Sequence, residues 1–413
     1  MNDQDLTRDA AMEVTRTLST AGYQVYWAGG YVRDQKLGNS SHDADIDIAT
    51  DAQPDQIRQL FGERRTIAVG AAFGVIMVMA GEGKPIEVAT FRSDAQYSDG
   101  RHPDRVTFTD AREDAQRRDF TINGMFYDPL SDEYIDHVHG QADIDARLVR
   151  AIGEPEKRFA EDKLRLLRAV RFAASLQFRI EEATWAAIEQ HADEITVVSA
   201  ERILGELEKI FGPPERLEGL RLLRDSGLLA AILPELDSRD PAAWNELEQT
   251  LERLPSSPFP VVLAASWTAL AGDTDLAAAC QRLKLSNHDR QLALWLHEHL
   301  PRIVEIHQVP WPHAQRLLIE PRIELLVGLA TARAATGGET PAWLTFCQEK
   351  LSLDREQLDP LPLIDGNDLL EAGIPAGPSF RTILEQVRDA QLDGQLADHQ
   401  QALALARQLA SHG

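Results

Sequence analysis

Several features that define whole classes of protein are scarce or missing in this sequence. It has two cysteines in 413 residues, Cys280 and Cys347. They are too few for a disulfide framework or a four-cysteine zinc site, and their scarcity is typical of a reducing compartment such as the cytoplasm. Uncharged stretches at 66–81 and 254–272 are either shorter than the roughly 20 apolar residues of a membrane span or broken by prolines. The sequence therefore excludes a disulfide-stapled domain and predicts no membrane segment.

Basic charge is also in short supply. The chain has 42 Lys and Arg against 66 Asp and Glu, which gives a formal net charge of −24. This excludes a uniformly basic surface that coats nucleic acid, but it leaves room for a local basic patch. The segment Lys163–Ile180 holds five bases and no acid, whereas Leu351–Gly413 holds ten acids and four bases. We therefore expect phosphates to bind at Lys163–Ile180, and we expect the chain to have only weak affinity for RNA in general.

The hydrophobic pattern changes near residue 150. Before it, short β-type runs such as Gln24–Trp27, Ile46–Thr50 and Pro85–Phe91 alternate with Gly, Asp and Pro turn signals. After it, the apolar residues recur with helical spacing to the end. The predicted fold class is α+β, with a sheet domain at 1–150 followed by an all-α remainder. Turn residues near 153–155, 212–214 and 308–312 divide that remainder into 151–212, 213–310 and 311–413.

Two carboxylates, Asp45 and Asp47, alternate with Ile46 and Ile48 in one strand-like run. Successive side chains of a strand point to opposite faces, so both carboxylates should point one way. Mg²⁺ binds through one or two carboxylates together with substrate phosphates. The pair is a candidate magnesium site, although a solvated strand end would produce the same spacing.

A glycine pair lies between a predicted strand and a predicted helix, a dozen or so residues before these carboxylates. Gly30 would let backbone amides approach an anion at the start of the helix, and Arg33 would add a charge-assisted contact. Taken alone, the segment is equally typical of an ordinary strand-to-helix turn. Together with the carboxylate pair it predicts a triphosphate site.

Two further groups of polar residues complete the pattern. Arg118, Asp119 and Asn123 form one, for which a surface ion pair beside a helix cap is the alternative. The other is a row spaced three residues apart on a predicted helix, for which a solvated basic edge is the alternative. Its members are Asp162, Arg165, Arg168 and Arg171.

On these residues the chain resembles class II tRNA nucleotidyltransferases and bacterial poly(A) polymerases, which belong to the DNA polymerase β-like nucleotidyltransferases. Five motifs carry the resemblance in order: Gly29–Asp34, Asp45–Asp47, Arg118–Asn123, Glu161–Ala173 and Glu201–Ile210. It implies a catalytic head (1–150), a helical neck that recognises the nucleotide (151–212), a body (213–310) and an RNA-binding tail (311–413). It also implies Mg²⁺ at Asp45 and Asp47. The implied nucleotide-binding residues are Gly30, Arg33, Arg118, Asp119, Asn123, Asp162, Arg165, Arg168 and Arg171.

The resemblance further implies that Asp162 and Arg165 read the incoming base, with CTP and ATP as substrates and the 3′ end of tRNA as primer. In the family, a polar loop like Arg92–Pro103 is needed to change from adding C to adding A, and its full length here disfavours a CC-adding specialist. The predicted function is therefore the addition of CCA to the 3′ end of tRNA without a template and with release of pyrophosphate. Three alternatives stay open: an A-adding enzyme, a poly(A) polymerase, and a non-catalytic protein that binds RNA ends.

Overall fold

The computed structural model describes residues 3–39, 45–70, 73–80, 85–95, 105–212, 215–272, 274–334 and 340–412. They fall into two compact units, one formed by residues 1–237 with 282–284 and the other by 238–281 with 285–413. The predicted α+β class is confirmed, because the large sheet lies before residue 150 and the later part is helical. The finer division at 150, 212 and 310 stays a prediction.

A seven-stranded sheet is the centre of the first unit. Its strand order is β3-β4-β5-β2-β1-β8-β9, and only the β2–β5 pair is parallel. Its seven strands are β1 (Val25–Ala28), β2 (Asp47–Thr50), β3 (Thr66–Gly70), β4 (Val75–Val78), β5 (Ile86–Thr90), β8 (Phe126–Asp128) and β9 (Glu133–Ile135). Two separate two-stranded sheets are formed by β6 (Arg92–Ala95) with β7 (Arg105–Phe108) and by β10 (Leu148–Val149) with β11 (Arg179–Ile180).

The register of the central strands positions the candidate metal site. Asp47, the first residue of β2, is paired with Ala28 on one side and with Glu87 on the other. Paired residues of neighbouring strands point to the same face, so the two carboxylates share a face and the small Ala28 leaves space beside them. Ile48, the next residue, points the opposite way and is fully buried.

The helices of the first unit are α1 (Asp3–Thr20), α2 (Gly30–Lys36), α3 (Pro54–Phe61), α4 (Ala111–Gln116), α5 (Gly140–Asp145), α6 (Pro155–Glu161), α7 (Leu164–Leu176), α8 (Glu182–His191), α9 (Ala200–Ile210), α10 (Arg216–Asp225) and α11 (Leu228–Ile232). Helix α1 buries Ala10, Val14 and Leu18, as its apolar spacing predicts. Its Thr15 hydroxyl accepts a 3.0 Å hydrogen bond from Trp27 Nε1 of β1, which ties the helix to the sheet.

Two sequence predictions need correction in this unit. The apolar residues of Arg216–Leu229 keep helical spacing, which predicts a single helix there, but Gly227 adopts a positive φ of 79° and separates α10 from α11. The Arg92–Pro103 segment was expected to be a loop, but it begins as strand β6, which pairs with β7. The rest of that segment, 96–103, lies outside the described residues.

The second unit contains helices α12 (Pro241–Arg253), α13 (Phe259–Leu270), α14 (Leu276–Arg282), α15 (Asn287–Ile303), α16 (Trp311–Leu318), α17 (Ile323–Ala334), α18 (Ala342–Leu351), α19 (Arg355–Leu358), α20 (Gly366–Glu371), α21 (Ser379–Leu392) and α22 (His399–His412). Helix α13 is apolar on all sides of its first nine residues and is buried there. Helices α20, α21 and α22 share a separate cluster around Leu369, Ile383 and Ala402. No helix in the described part of the chain combines the length and the apolarity that a bilayer crossing requires.

Candidate active site

A cavity of about 570 Å³ lies in the first unit, between the sheet and helices α2, α7 and α9. Of the eleven site residues predicted from the sequence, all but Asp45 line it. Eight arginines and four acidic residues are among its lining residues, so the cavity is a cationic region on a chain of net charge −24. Its arginines are Arg33, Arg92, Arg117, Arg118, Arg165, Arg168, Arg171 and Arg202.

The carboxylates lie at the sheet side of the cavity. Burial raises the pKa of Asp47 to about 6, with further contributions from Glu87 and Asp45, while Arg118 lowers it. Partial desolvation and Asp45 also raise the pKa of Glu87, although its side chain still reaches solvent. Asp45 is exposed and precedes the strand, so the pair does not lie within a single strand as predicted. A raised carboxylate pKa indicates negative charge that a cation would stabilise.

This site fits a divalent metal that is shared with substrate. Among the described residues, no three His, Cys, Asp or Glu side chains are grouped closely enough to hold a metal by themselves. Mg²⁺ does not need such a cage, because it commonly takes one or two carboxylates, several waters and the phosphates of its substrate. Asp47, whose pKa is raised by burial and then by the charges of Glu87 and Asp45, suits that mode of binding.

The pKa of Asp47 predicts how metal affinity depends on pH. A carboxylate must be ionised to bind a cation, so protons compete with metal below a pKa of about 6. We expect the affinity for Mg²⁺ to be about tenfold weaker at pH 5 than at pH 7. Without metal, the contribution of Asp47 to the free energy of unfolding has the opposite pH dependence. It is fully present below the ordinary pKa of 3.8 and is lost as the pH rises through about 6. Calorimetric titration with Mg²⁺ tests this, and an affinity unchanged between pH 5 and pH 7 would contradict it.

The glycine pair has one demanding position, which is Gly29 and not the predicted Gly30. Gly29 has a φ of 75°, and a Cβ there would lie 3.2 Å from Asp47 Oδ2. Gly30 begins α2 and would meet Arg33 Nη2 at an ordinary 3.6 Å. Arg33 is paired with Asp34 at 2.8 Å and its Nη1 donates to Asn123 Oδ1 at 2.7 Å. The turn therefore places Arg33 in the cavity, held by two partners.

One buried acid, Asp114 of α4, holds two cavity arginines. Its Oδ1 accepts from Arg117 at 2.6 Å, and its Oδ2 accepts from Arg118 at 3.1 Å. Burial disfavours the charge of Asp114, but Arg118 and Arg117 hold its pKa below the usual value. Arg118 also lies over the Phe126 ring, 4.9 Å from its centroid. Asp114 thus fixes the arginine pair beside the carboxylates.

A second buried acid, Asp119, joins the sheet domain to helix α7. Arg168 Nε donates to its Oδ2 at 2.8 Å, and Asn123 Nδ2 donates to its Oδ1 at 3.1 Å. Burial opposes ionisation, but Arg168 and these hydrogen bonds lower the pKa of Asp119 to about 2. The same pairing raises the pKa of Arg168. Asp119 therefore links Asn123 of the sheet domain to Arg168 of α7 at the cavity wall.

Phe172 of α7 gathers three arginines around one ring. The guanidinium carbons of Arg33, Arg168 and Arg171 lie 5.0, 5.3 and 4.2 Å from its centroid. Each of these arginines also has its own acidic partner: Asp34, Asp119 and Glu206, respectively. The negative ring face and the acids offset the repulsion among three neighbouring cations. The cluster keeps positive charge concentrated where phosphates would bind.

The base-reading row differs from the prediction at its first member. Asp162 is not helical: it has φ −150° and ψ 106° and lies in the break between α6 and α7, which begins at Leu164. Its Oδ1 accepts the Leu164 N–H at 3.0 Å. Arg165 is held elsewhere, by Glu161 and by the carbonyl oxygen of Arg158 at 2.9 Å. Both side chains nevertheless line the same cavity.

Sequence reasoning missed four residues that shape this site: Glu87, Asp114, Phe172 and Arg202. Two of them, Phe172 and Arg202, fall inside quoted motifs but received no role. Glu87 had a visible signal, because it is a charged residue alternating with the buried apolar residues Ile86 and Val88. Asp114 also had a signal, because Arg117 and Arg118 follow it at i+3 and i+4, the spacings at which side chains meet on a helix.

The fold and site define a nucleotidyltransferase. Residues 25–150 match the family model described as "Poly A polymerase head domain". Residues 177–239 match "Probable RNA and SrmB- binding site of polymerase A". The first match spans the seven-stranded sheet and most of the carboxylate side of the cavity.

Similar proteins specify the family further. The chain is 32% identical to a CCA-adding enzyme of Lactobacillus johnsonii and 33% identical to one of Geobacillus stearothermophilus, with 95% of each chain covered in both comparisons. It also matches the crystal structure of Bacillus stearothermophilus CCA-adding enzyme in complex with CTP, with a TM-score of 0.77, 30% identity and 98% of each chain covered. The chain belongs to the family of CCA-adding enzymes.

Proposed function

We propose that this protein adds CCA to the 3′ end of tRNA, using CTP and ATP without a nucleic-acid template and releasing pyrophosphate. One observation carries the proposal: the carboxylates of Asp47 and Glu87 line the same cavity as the arginine cluster and the pair Asp162 and Arg165. The relatives named CCA-adding enzymes, and the related structure that contains CTP, support it.

The arginines of the cavity would bind the triphosphate. Arg33, Arg168 and Arg171 are grouped around Phe172, and Arg118 lies beside Asp47. Guanidinium groups bind phosphate oxygens through paired donors in a fixed plane, so the cluster would orient the α-phosphate toward the carboxylates. Asp119 and Asn123 would keep this geometry without taking part in proton transfer.

Asp45 and Asp47 would hold Mg²⁺, with Glu87 adding to the negative field at the same place. When bound, the metal would lower the pKa of the primer 3′-hydroxyl and offset charge on the triphosphate as pyrophosphate leaves. The chain's own contribution is to align the hydroxyl, the α-phosphate and the leaving group.

Asp162 and Arg165 would select the base. Cytosine and adenine each present an exocyclic amine next to an unprotonated ring nitrogen, so a carboxylate accepts from the amine while a guanidinium donates to the ring. Uracil and guanine present a carbonyl next to a ring N–H. Their carbonyl would face the Asp162 carboxylate, acceptor against acceptor, and their ring N–H would face the Arg165 guanidinium, donor against donor. The expected discrimination is roughly 1–3 kcal/mol per bidentate pair.

Removing the Asp162 carboxylate should therefore relax base choice. We expect Asp162→Ala to lower the preference for CTP over UTP by about tenfold or more, which corresponds to the 1–3 kcal/mol above. Binding of Mg²⁺ should change little, because Asp162 lies on the helical side of the cavity. Single-nucleotide incorporation with each of the four triphosphates measures this preference. Equal incorporation of UTP and CTP by the unaltered protein would refute the proposed base readout.

The tRNA end and the cellular compartment complete the proposal. The excess acid at 351–413 argues against tight binding of random RNA and favours a short, shaped RNA end held at the cationic cavity. Both cysteines are free and buried, which is compatible with action in the cytoplasm.

The test uses purified protein, Mg²⁺ and a tRNA that lacks its 3′ CCA. One reaction contains CTP and ATP, a second contains ATP alone, and the products are sized. Addition of three nucleotides in the first reaction, with none in the second, supports the proposal. A third reaction contains ATP and a CC-ended tRNA: a single A added there, with no addition in the first two reactions, would indicate an A-adding enzyme. A long A tract would indicate a poly(A) polymerase, and no addition in any of the three reactions would favour the non-catalytic alternative.

A further inference from the structure

The Asp162 carboxylate has a second partner, which comes from a different helix. Arg202 Nη2 donates to Asp162 Oδ2 at 2.7 Å, across 40 residues of sequence. The two side chains are 21% and 16% exposed, so the pair lies at the cavity wall and is only partly screened by solvent. One carboxylate oxygen is thus bound by Leu164 N–H and the other by Arg202.

Arg202 lies on a packed helix, whereas Asp162 lies in a break between helices. It occupies the first turn of α9, which buries Ile203, Leu207 and Ile210 within the first unit. A second link joins α9 to α7, since Glu206 pairs with Arg171 at 3.3 Å. Asp162 itself lies in extended backbone between two helices, where its carbonyl oxygen accepts the Arg165 N–H at 3.1 Å and its side chain depends on Leu164 and Arg202 for its orientation. The rigid helix therefore supports the residue in the break.

The two base-reading groups do not hold each other. Arg165 takes its support from Glu161 and from the carbonyl oxygens of Arg158 and Arg117, whereas Asp162 takes its support from Leu164 and Arg202. Removing Arg202 would consequently leave Arg165 in place, while the Asp162 carboxylate would be held by the Leu164 N–H alone and could turn about that hydrogen bond.

We infer that Arg202 is a positioning residue for nucleotide selection: it aims the Asp162 carboxylate at the exocyclic amine of the incoming base. This inference rests on the proposed function, in which Asp162 and Arg165 read that base. An ionised carboxylate has about four acceptor sites on its two oxygens, so Oδ2 accepts from Arg202 and still has an acceptor site for the amine. Arg202 has only donors and cannot replace Asp162 in accepting from cytosine or adenine.

Orientation matters because the discrimination is geometric. A carboxylate at a fixed angle accepts well from an amine and repels the carbonyl of uracil or guanine. A carboxylate free to turn loses the good hydrogen bond and also the repulsion. Removal of Arg202 should therefore lower kcat/KM for the correct nucleotide more than for the wrong one. If Arg202 had a purely structural role, both values would fall equally.

The test compares kcat/KM for CTP and UTP on a tRNA that lacks its CCA, using the full-length chain. Arg202→Met is expected to lower the CTP:UTP preference at least tenfold, and Arg202→Lys to restore part of it through a single donor. Arg58→Met is the matched control, because Arg58 pairs with Glu63 on an exposed surface of the same unit. It should leave the preference unchanged. Thermal unfolding of each variant checks that the fold persists.

Asp162→Ala and the double variant Arg202→Met/Asp162→Ala separate the possible failures. The double variant should lose no more preference than Asp162→Ala alone, because Arg202 acts through Asp162. One outcome would refute the role of Arg202 alone. In it, Asp162→Ala abolishes the CTP:UTP preference, but Arg202→Met either lowers both kcat/KM values equally or changes neither of them, and the base readout by Asp162 stands. If Asp162→Ala keeps the full preference, the base readout in the proposed function is wrong, and the role of Arg202 fails with it.

Discussion

Replacing Asp47 by Asn is expected to lower the rate of nucleotide addition by about 10³-fold or more. Asp47 lies at the start of β2 beside Glu87, and its pKa is raised by burial first and then by the negative charges of Glu87 and Asp45. An amide keeps the size of the side chain but removes the charge that would hold Mg²⁺. Metal-ion catalysis supplies several kcal/mol, and each 1.36 kcal/mol corresponds to a tenfold change in rate. Incorporation of labelled nucleotide into tRNA lacking its 3′ end measures the loss.

Asp55→Asn is the matched control for this experiment. Asp55 is an exposed acid in the first turn of α3, within the same sheet domain, so its conversion should leave the rate within a factor of two or so. The double variant Asp45→Ala/Asp47→Ala should incorporate no nucleotide. Substantial incorporation by that double variant would remove the metal assignment.

The second large effect is on stability. Asp119→Ala leaves Arg168, whose side chain is 32% exposed, without the buried acid that raises its pKa. Breaking a fully buried ion pair by removing one partner typically costs about 3–5 kcal/mol, and the partial exposure of Arg168 puts the expected loss below that range. Asn123 and the Phe120 N–H also lose their acceptor. We expect unfolding of the first unit at a clearly lower denaturant concentration, together with loss of activity.

A double variant separates the stability effect from the activity effect. Asp119→Leu/Arg168→Met replaces both members of the pair with apolar side chains, which is often neutral for stability. It should unfold at a denaturant concentration between those of Asp119→Ala and the unaltered protein, because the Phe120 N–H and Asn123 still lack their acceptor. It should remain inactive, because the arginine proposed to bind phosphate is gone. Equal stability of Asp119→Ala and the unaltered protein in denaturant titrations would contradict the role given to this pair.

Local sequence patterns predicted most elements of the fold, because those elements depend on local periodicity. The alternation at Ile46–Thr50 became β2, and the apolar spacing of α1 identified its buried face. The break at Gly227 was missed because it lies inside a continuous apolar run, where helical spacing continues on both sides. Strand β6 was missed because polar residues with a nearby glycine are also typical of a loop.

The candidate site was predictable where its residues lie within short motifs and was not where they meet through tertiary structure. Asp47 and Arg33 follow from their own segments. Glu87 reaches Asp47 only through the parallel register of β2 and β5, which no local spacing specifies. The contact between Arg202 and Asp162 depends in the same way on how α9 packs beside α7.

The central claim is that one cationic cavity selects C and A without a template and stops after three additions. Mass spectrometry of the product tests it most directly: the protein is incubated with Mg²⁺, a tRNA lacking its 3′ end and all four nucleoside triphosphates at equal concentration. We predict a single product heavier by two cytidylates and one adenylate. A product that contains uridylate or guanylate, a ladder of adenylates, or an unextended tRNA would contradict the account.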